Sequence, residues 1–291
     1  MMTIFDNGKK IISYSFFEPK RLVRGRFWDK YAEDPLRYYY NIPAVILSNK
    51  IIYPEYDTLF YITDNSFGNP LSSIFNILKD YVTIKAINID YSLTEPSTLR
   101  MMPVWENVKI LLTRDIDSIP SKVEWQYSKD FEKSIASIGT IRTHENHHGL
   151  QCCMLAGLSA FKPNDISTDI KGKSFQEYLN KIHKGYGCYQ DIMIKTFISA
   201  KLWEYDFLDC CSYKQNKSQH FPCLKADLLE EPDNGDILDI FNLSKELGLD
   251  TWAGEPIDAR GPYTEHLLNL FPKVKKAILR NKLLSKFYGV L

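Results

Sequence analysis

Neither charge sign is in surplus: Lys and Arg together number 36, as do Asp and Glu. No global field therefore draws the chain to nucleic acid or to an anionic membrane, and an anionic ligand needs a local site. No run of about 18 apolar residues passes without a charge, and the opening MMTIFDNGKK lacks the basic-then-apolar pattern of a secretory leader. The expectation is a cytoplasmic protein with no transmembrane segment and no nucleic-acid partner. CxxC spacing is missing too: the six cysteines stand at 152, 153, 188, 210, 211 and 223, four of them in adjacent pairs. Neighbouring cysteines rarely bridge each other and a chain this long needs no staples, so reduced, mostly buried thiols are expected. There is no Gly/Ser linker and no internal repeat, which favours a single domain.

What is present suits an α/β fold. The 291 residues are 44% hydrophobic and 13% aromatic, enough for one sizeable core. Short β-type runs fill the first third: KKIISYSFF (9–17), PAVILSN and TLFYITDN (58–65), each closing on small or polar residues. SSIFNILKDY, with Ile74, Phe75, Ile77 and Leu78, suits a helix, and VTIKAINID (82–90) and NVKILLTRDID (107–117) are strand-like again. Strands alternating with helical patterns predict a mixed, mostly parallel sheet flanked by helices. Ligands of such sheets bind beyond the carboxyl ends of the strands, where Ser13, Asn65, Asp90, Arg114, Asp115 and Asp117 fall. After residue 118 longer helical stretches are expected, such as SFQEYLNKIH and YQDIMIKTFISAKLWEYDFL, with DLLEEPDNGD (227–236) as an exposed acidic loop. The last segment, HLLNLFPKVKKAILRNKLLSKFYGVL, reads as a basic amphipathic helical stretch interrupted at Pro272. It either packs with its cations outward or docks on a membrane surface or partner.

Two motifs carry chemistry. Asp115 and Asp117 follow a strong strand signal, and in extended chain residues i and i+2 point the same way. Two hard oxygen donors suit Mn²⁺ or Mg²⁺, which keeps positions open for phosphate oxygens, and Arg114 adds charge for a diphosphate. The second motif is HENHH (144–148), which matches the HExxH pattern of zinc hydrolases. A zinc helix needs regular helical flanks and a third ligand, for which Asp165, Glu177 and His183 are candidates. Yet Gly139, Thr140, Ile141, Thr143, Asn146 and Gly149 are poor helix formers.

The ordered series ISYSFFEPK, YYYNI, IIYP, FYITDN and LRMMPVWENVKILLTRDIDSIPSKVEW resembles the nucleotide-binding half of GT-A fold glycosyltransferases of an RDxDS type. In that group an Arg-Asp-His-Pro-x-His segment and a small-residue stretch follow, matched here by IRTHENHHGLQCCMLAGLSAFK. YGCYQDIMI stands for a YGxDQ-type helix start and HFPCLK for a late Phe-Pro stretch. The resemblance spans roughly residues 10–225, and the pattern is similar to glycosyltransferases encoded by large algal DNA viruses. Thr143, Glu145 and Tyr189 depart from it, with Asp191 two residues beyond Tyr189, and Leu208 precedes Asp209 where the group carries His before Asp.

The resemblance implies a GT-A domain with a nucleotide-sugar half over 1–118 and an acceptor half over 119–291. It implies Mn²⁺ or Mg²⁺ on Asp115 and Asp117, a UDP-sugar donor and a glycan acceptor, with xylose or another pentose transferred with inversion. Tyr14, Phe17, Arg100, Arg114 and Asp115 would meet the donor, and Arg142, His144, His147 and His148 the sugar or acceptor. Asp191 would be the general base, with Glu255 in reserve. The plainer alternatives are that Tyr14 and Phe17 are core aromatics, that Asp191 caps its helix and that Glu255 sits on an exposed turn. Two other readings stay open, a zinc-dependent hydrolase using HENHH and a non-catalytic binder of nucleotide sugars or carbohydrates.

Overall fold

A computed structural model describes residues 8–17, 36–88, 96–134, 136–142, 157–181, 207–211, 229–249 and 257–290. One seven-stranded sheet organises them. Its strands are β1 (Lys10–Phe16), β2 (Tyr56–Thr63), β3 (Thr83–Ile87), β4 (Ile110–Arg114), β5 (Ile138–Arg142), β6 (Leu158–Phe161) and β7 (Phe207–Cys211), in the spatial order β3-β2-β1-β4-β6-β5-β7. All neighbours pair in parallel except β6, which is antiparallel to both β4 and β5. This is the mixed, mostly parallel sheet flanked by helices that the alternating pattern predicts. The helices are α1 (Ile42–Ile52), α2 (Ser73–Ile77), α3 (Lys122–Lys133), α4 (Gly235–Glu246), α5 (Pro262–Leu270), α6 (Pro272–Arg280) and α7 (Lys282–Phe287), besides a seven-residue helix over Phe175–Lys181, a 3₁₀ helix over Pro96–Trp105 and several single turns.

Period-two alternation divides the core between the sheet's two faces. Ile12, Tyr14 and Phe16 of β1, Phe60 and Ile62 of β2, and Ile110 and Leu112 of β4 join the larger cluster with α1, α3 and α5–α7. Ile11, Leu59, Tyr61 and Leu111 face the other way and are covered by Leu99, Met101 and Val104 of the 3₁₀ helix.

Three departures from the sequence reading have physical causes. PAVILSN belongs to the helix α1, whose residues Ile42 to Asn49 are all buried. A helix apolar all round shows no period, so its composition imitates a buried strand; Pro43 in the first turn is the signal that distinguishes it. The region after residue 118 contributes three strands, because short, fully buried runs such as LSAF have no alternation to display. Phe207 and Leu208, expected at the end of a helix, open β7 instead.

Candidate functional site

Strand order locates the site before any side chain is considered. From β1 the chain steps outward through β2 to β3, and then returns to lay β4 on the other flank of β1. The crevice between the carboxyl ends of β1 and β4 is therefore the topological switch point, where ligands of open α/β sheets bind.

Arg114 ends β4 and Asp115 follows it, and their side chains take up different environments. Arg114 is buried, with Nε 2.8 Å from Glu124 Oε1 and Nη1 donating to Thr113 O at 2.8 Å. Glu124 is itself 1% exposed. Its other oxygen accepts from Ser121 N at 2.9 Å, and Ser121 Oγ accepts from Glu124 N at 3.2 Å, so one carboxylate closes the capping box of α3 and neutralises the cation ending β4. Burial works to lower the Arg114 pKa, but the Glu124 charge together with the neighbouring Tyr53, Tyr14 and Tyr127 outweighs it, and the net shift is upward. This corrects the expectation for Arg114: its charge is consumed in the core, not presented to a diphosphate.

Asp115 pairs with Arg100 Nη1, which also donates to Arg114 O at 3.1 Å. The guanidinium is buried, whereas the Asp115 side chain is 46% exposed. Arg100 is held from β1: its backbone N donates to Ser15 Oγ at 2.8 Å, and that hydroxyl donates to Ser97 O at 3.0 Å. Against the other side of Asp115 lies Gly157, just before β6. A Cβ at residue 157 would overlap the carboxylate, so only glycine allows this approach.

Asp117 is largely buried in the turn that follows. Its carbonyl accepts from Ile257 N at 2.7 Å, and Asn41 bridges the same segment, donating to Ile257 O and accepting from Ala259 N, both at 2.9 Å. The chain turns at Ile116 and Asp117, directly after Asp115, and the expectation of two carboxylates aligned along an extended chain is corrected: Asp115 is the open one.

Tyr14 is also relocated. It is 1% exposed, stacks on Phe60 at 4.7 Å and accepts from Asn49 Nδ2 at 3.0 Å, so it is a core aromatic and not a platform for a base. Burial raises its phenol pKa well above the ordinary value. Phe17, half-buried just beyond β1, lies 6.2 Å from Tyr38. Asn49, Tyr53 and Arg114 line a small cavity that also reaches Asp115. Its size and polar lining suit one water molecule.

Among the described residues no group of three or more His, Cys, Asp or Glu is arranged to hold a metal ion. His144, His147, His148, Asp191 and Glu255 lie outside the described residues, and of Arg142 only the backbone at the end of β5 is described. Sequence reasoning missed three contributors. Glu124 had a readable signal in the S-x-x-E pattern of residues 121–124; Ser15 and Gly157 had none, because their roles exist only once distant segments meet.

No family model and no curated protein matches the sequence. Solved structures are similar at low scores. A protein described as a nucleotide-diphospho-sugar transferase of Desulfovibrio desulfuricans is 9% identical over 94% of this chain and 98% of its own, with a TM-score of 0.44. The 4-diphosphocytidyl-2C-methyl-D-erythritol synthase of Anaerococcus prevotii is 10% identical over 82% and 99%, at 0.41. The galactosyltransferase LgtC, solved with donor and acceptor sugar analogues, is 9% identical over 63% and 69%, at 0.34. Likenesses this weak leave activity to be read from the site itself.

Proposed function

We propose that this chain is a metal-dependent glycosyltransferase that moves a sugar, a pentose such as xylose, from a UDP-sugar to a hydroxyl of a glycan with inversion. One observation carries the reading: a half-exposed carboxylate, Asp115, stands at the switch point of the sheet, clamped by the buried Arg100 and approached closely by Gly157. The motif resemblance of RDIDS and its neighbours supplies the reaction class.

Asp115 is the open oxygen donor that the proposal assigns to a hard divalent cation such as Mn²⁺ or Mg²⁺, since its side chain is 46% exposed although one oxygen pairs with Arg100. Asp117, one turn on, is the second oxygen donor of the proposal. A cation held there supplies positive charge against the departing diphosphate. Arg100 orients Asp115 and adds a second positive centre in a low-dielectric wall, where preorganised charge acts most strongly on charge that develops during transfer. Arg142, His144, His147 and His148 are proposed to orient sugar hydroxyls, and Asp191 to take the acceptor proton, with Glu255 in reserve.

Thermal unfolding of wild type and Asp115→Ala with UDP or GDP, each with and without Mn²⁺, tests the site. Asp115 is the better position to vary than Asp117, because the exposed carboxylate is not part of the core. Ligand at 100 times its dissociation constant stabilises by about 2.7 kcal/mol, a shift of several degrees for a chain this size. The expected result is a shift that needs UDP and Mn²⁺ together and is lost in Asp115→Ala. No shift with either nucleotide overturns the proposal. Tightly held zinc that disappears in His148→Ala would establish the hydrolase instead, and UDP–Mn²⁺ binding without turnover of any donor would establish a binder.

A further inference from the structure

The last 26 residues concentrate charge in a chain that has none to spare. Residues 266–291 hold Lys273, Lys275, Lys276, Arg280, Lys282 and Lys286 and no Asp or Glu, although the whole chain balances 36 against 36. The helices there are docked, not loose. Leu267 and Leu268 of α5, Val274 and Ile278 of α6, and Leu284 and Tyr288 in and after α7 are buried in the larger core cluster. Tyr288 Oη donates to Tyr39 O at 2.9 Å, and Asn281 Nδ2 reaches Ser73 Oγ at 3.4 Å. The inward face is therefore accounted for by the domain itself.

The outward face is unusual. Leu270, Leu279 and Leu283 are 45%, 42% and 48% exposed, three of the five large apolar residues most open to solvent among those described. On α6 the buried positions Val274 and Ile278 mark one side. At about 100° per residue Leu279 falls on the opposite side, in the arc of Lys275, Lys276 and Arg280. Lys273, Lys276, Arg280, Lys282 and Lys286 are exposed and make no ion pair with any described residue. Cations flanking exposed leucines on a docked helix are what an interfacial surface needs: charge to meet anionic headgroups and apolar side chains to enter the acyl boundary.

We infer that the outward face of α6 and α7 is a peripheral docking surface for an anionic phospholipid bilayer. Charge complementarity selects this occupant, since six cations with no interspersed carboxylate match a uniformly negative plane. The surface is joined to the site's end of the sheet. α7 is tied through Tyr288 to Tyr39, and the adjoining Asn41 grips the 257–259 segment, which in turn bonds to Asp117 O. Docking would thus hold the switch-point crevice in a fixed relation to the membrane, whatever chemistry proceeds there.

Co-sedimentation of the whole chain with phosphatidylcholine vesicles, with and without phosphatidylserine, tests the inference at low and physiological salt. Binding is expected only with phosphatidylserine and should weaken as salt rises. The triple variant K273E/K276E/R280E should lower partitioning by on the order of 100-fold or more, from the worth of a basic residue near an anionic surface. Leu279→Ser with Leu283→Ser should weaken binding at physiological salt while leaving the thermal midpoint within a degree or two, since both side chains are exposed. Failure of wild type to bind phosphatidylserine vesicles at low salt overturns the inference, as does full binding by the charge-reversed variant. Nucleotide-induced thermal shifts are read separately, so this inference and the proposed activity fail independently.

Discussion

The two faces of the sheet treat adjacent residues of one strand end in opposite ways. On the face covered by α3, Arg114 is neutralised by Glu124 within the core. On the face covered by the 3₁₀ helix, the pair is inverted: the cation, Arg100, is buried and the carboxylate, Asp115, is left half in water. Two Arg–carboxylate pairs lie within a few residues of each other, yet only one exposes a ligand-binding group. The difference is burial of the acid, and it separates a pair that holds the fold together from one that can serve chemistry. A carboxylate with open lone pairs can accept a metal or a donor proton; one whose oxygens are spent on Arg114 and the Ser121 amide cannot.

The largest expected effect breaks the structural pair. Glu124→Gln leaves a buried, uncompensated guanidinium and weakens the capping box, so urea unfolding should show a loss of about 3–5 kcal/mol; a loss below about 1 kcal/mol would place the pair's energy elsewhere. Next comes the open pair. Asp115→Ala should lower sugar transfer by about 100-fold or more; it also leaves the buried Arg100 without its acid, but since that acid is half in water the loss of urea stability should be smaller than for Glu124→Gln. Equal losses of stability in the two variants would erase the distinction between the faces.

Gly157→Ala sharpens the comparison from outside β4. The new Cβ overlaps the Asp115 carboxylate, so either the acid swings away from Arg100 or the strand β6 shifts, at about 1–3 kcal/mol by analogy with overpacking. Loss of the UDP–Mn²⁺ thermal shift with the fold retained is the expected reading. The smallest effect concerns Asp258 and Arg260, a pair beside α5 that is open on both partners. Burial works to raise the Asp258 pKa, but hydrogen bonds from Arg260 outweigh it and hold it below the usual value. A depressed carboxyl pKa contributes stability above the unfolded-state value and loses it as pH falls through the folded one. Asp258→Asn should therefore cost less than about 1 kcal/mol at neutral pH, a difference from wild type that vanishes in acid denaturation series.

Legibility followed the same division. β1, β2, β3 and β4 were readable because each is a short apolar run rich in β-branched and aromatic residues, set between helical or turn segments. α1 was hidden because Ile42 to Asn49 are buried all round, and β5 to β7 because small and polar residues such as Gly139, Thr140, Ser159 and Asp209 break up their apolar runs. At the site, Asp115 and Arg100 were legible as residue types, but Arg114 and Tyr14 were assigned to the donor when both belong to the core. Neither composition nor spacing distinguishes an arginine that faces a helix capping box from one that faces a crevice.

Local chemistry therefore decided which elements form: the strand runs, the capping box at Ser121, the break at Pro272 and the uninterrupted cations of residues 266–291 all follow from neighbours in sequence. Only the tertiary structure decided which acid stays open. That outcome depends on Ser15, Ser97 and Gly157 arriving beside Arg100 and Asp115 from three other segments, and burial is a property of the packed whole that no short window of sequence contains.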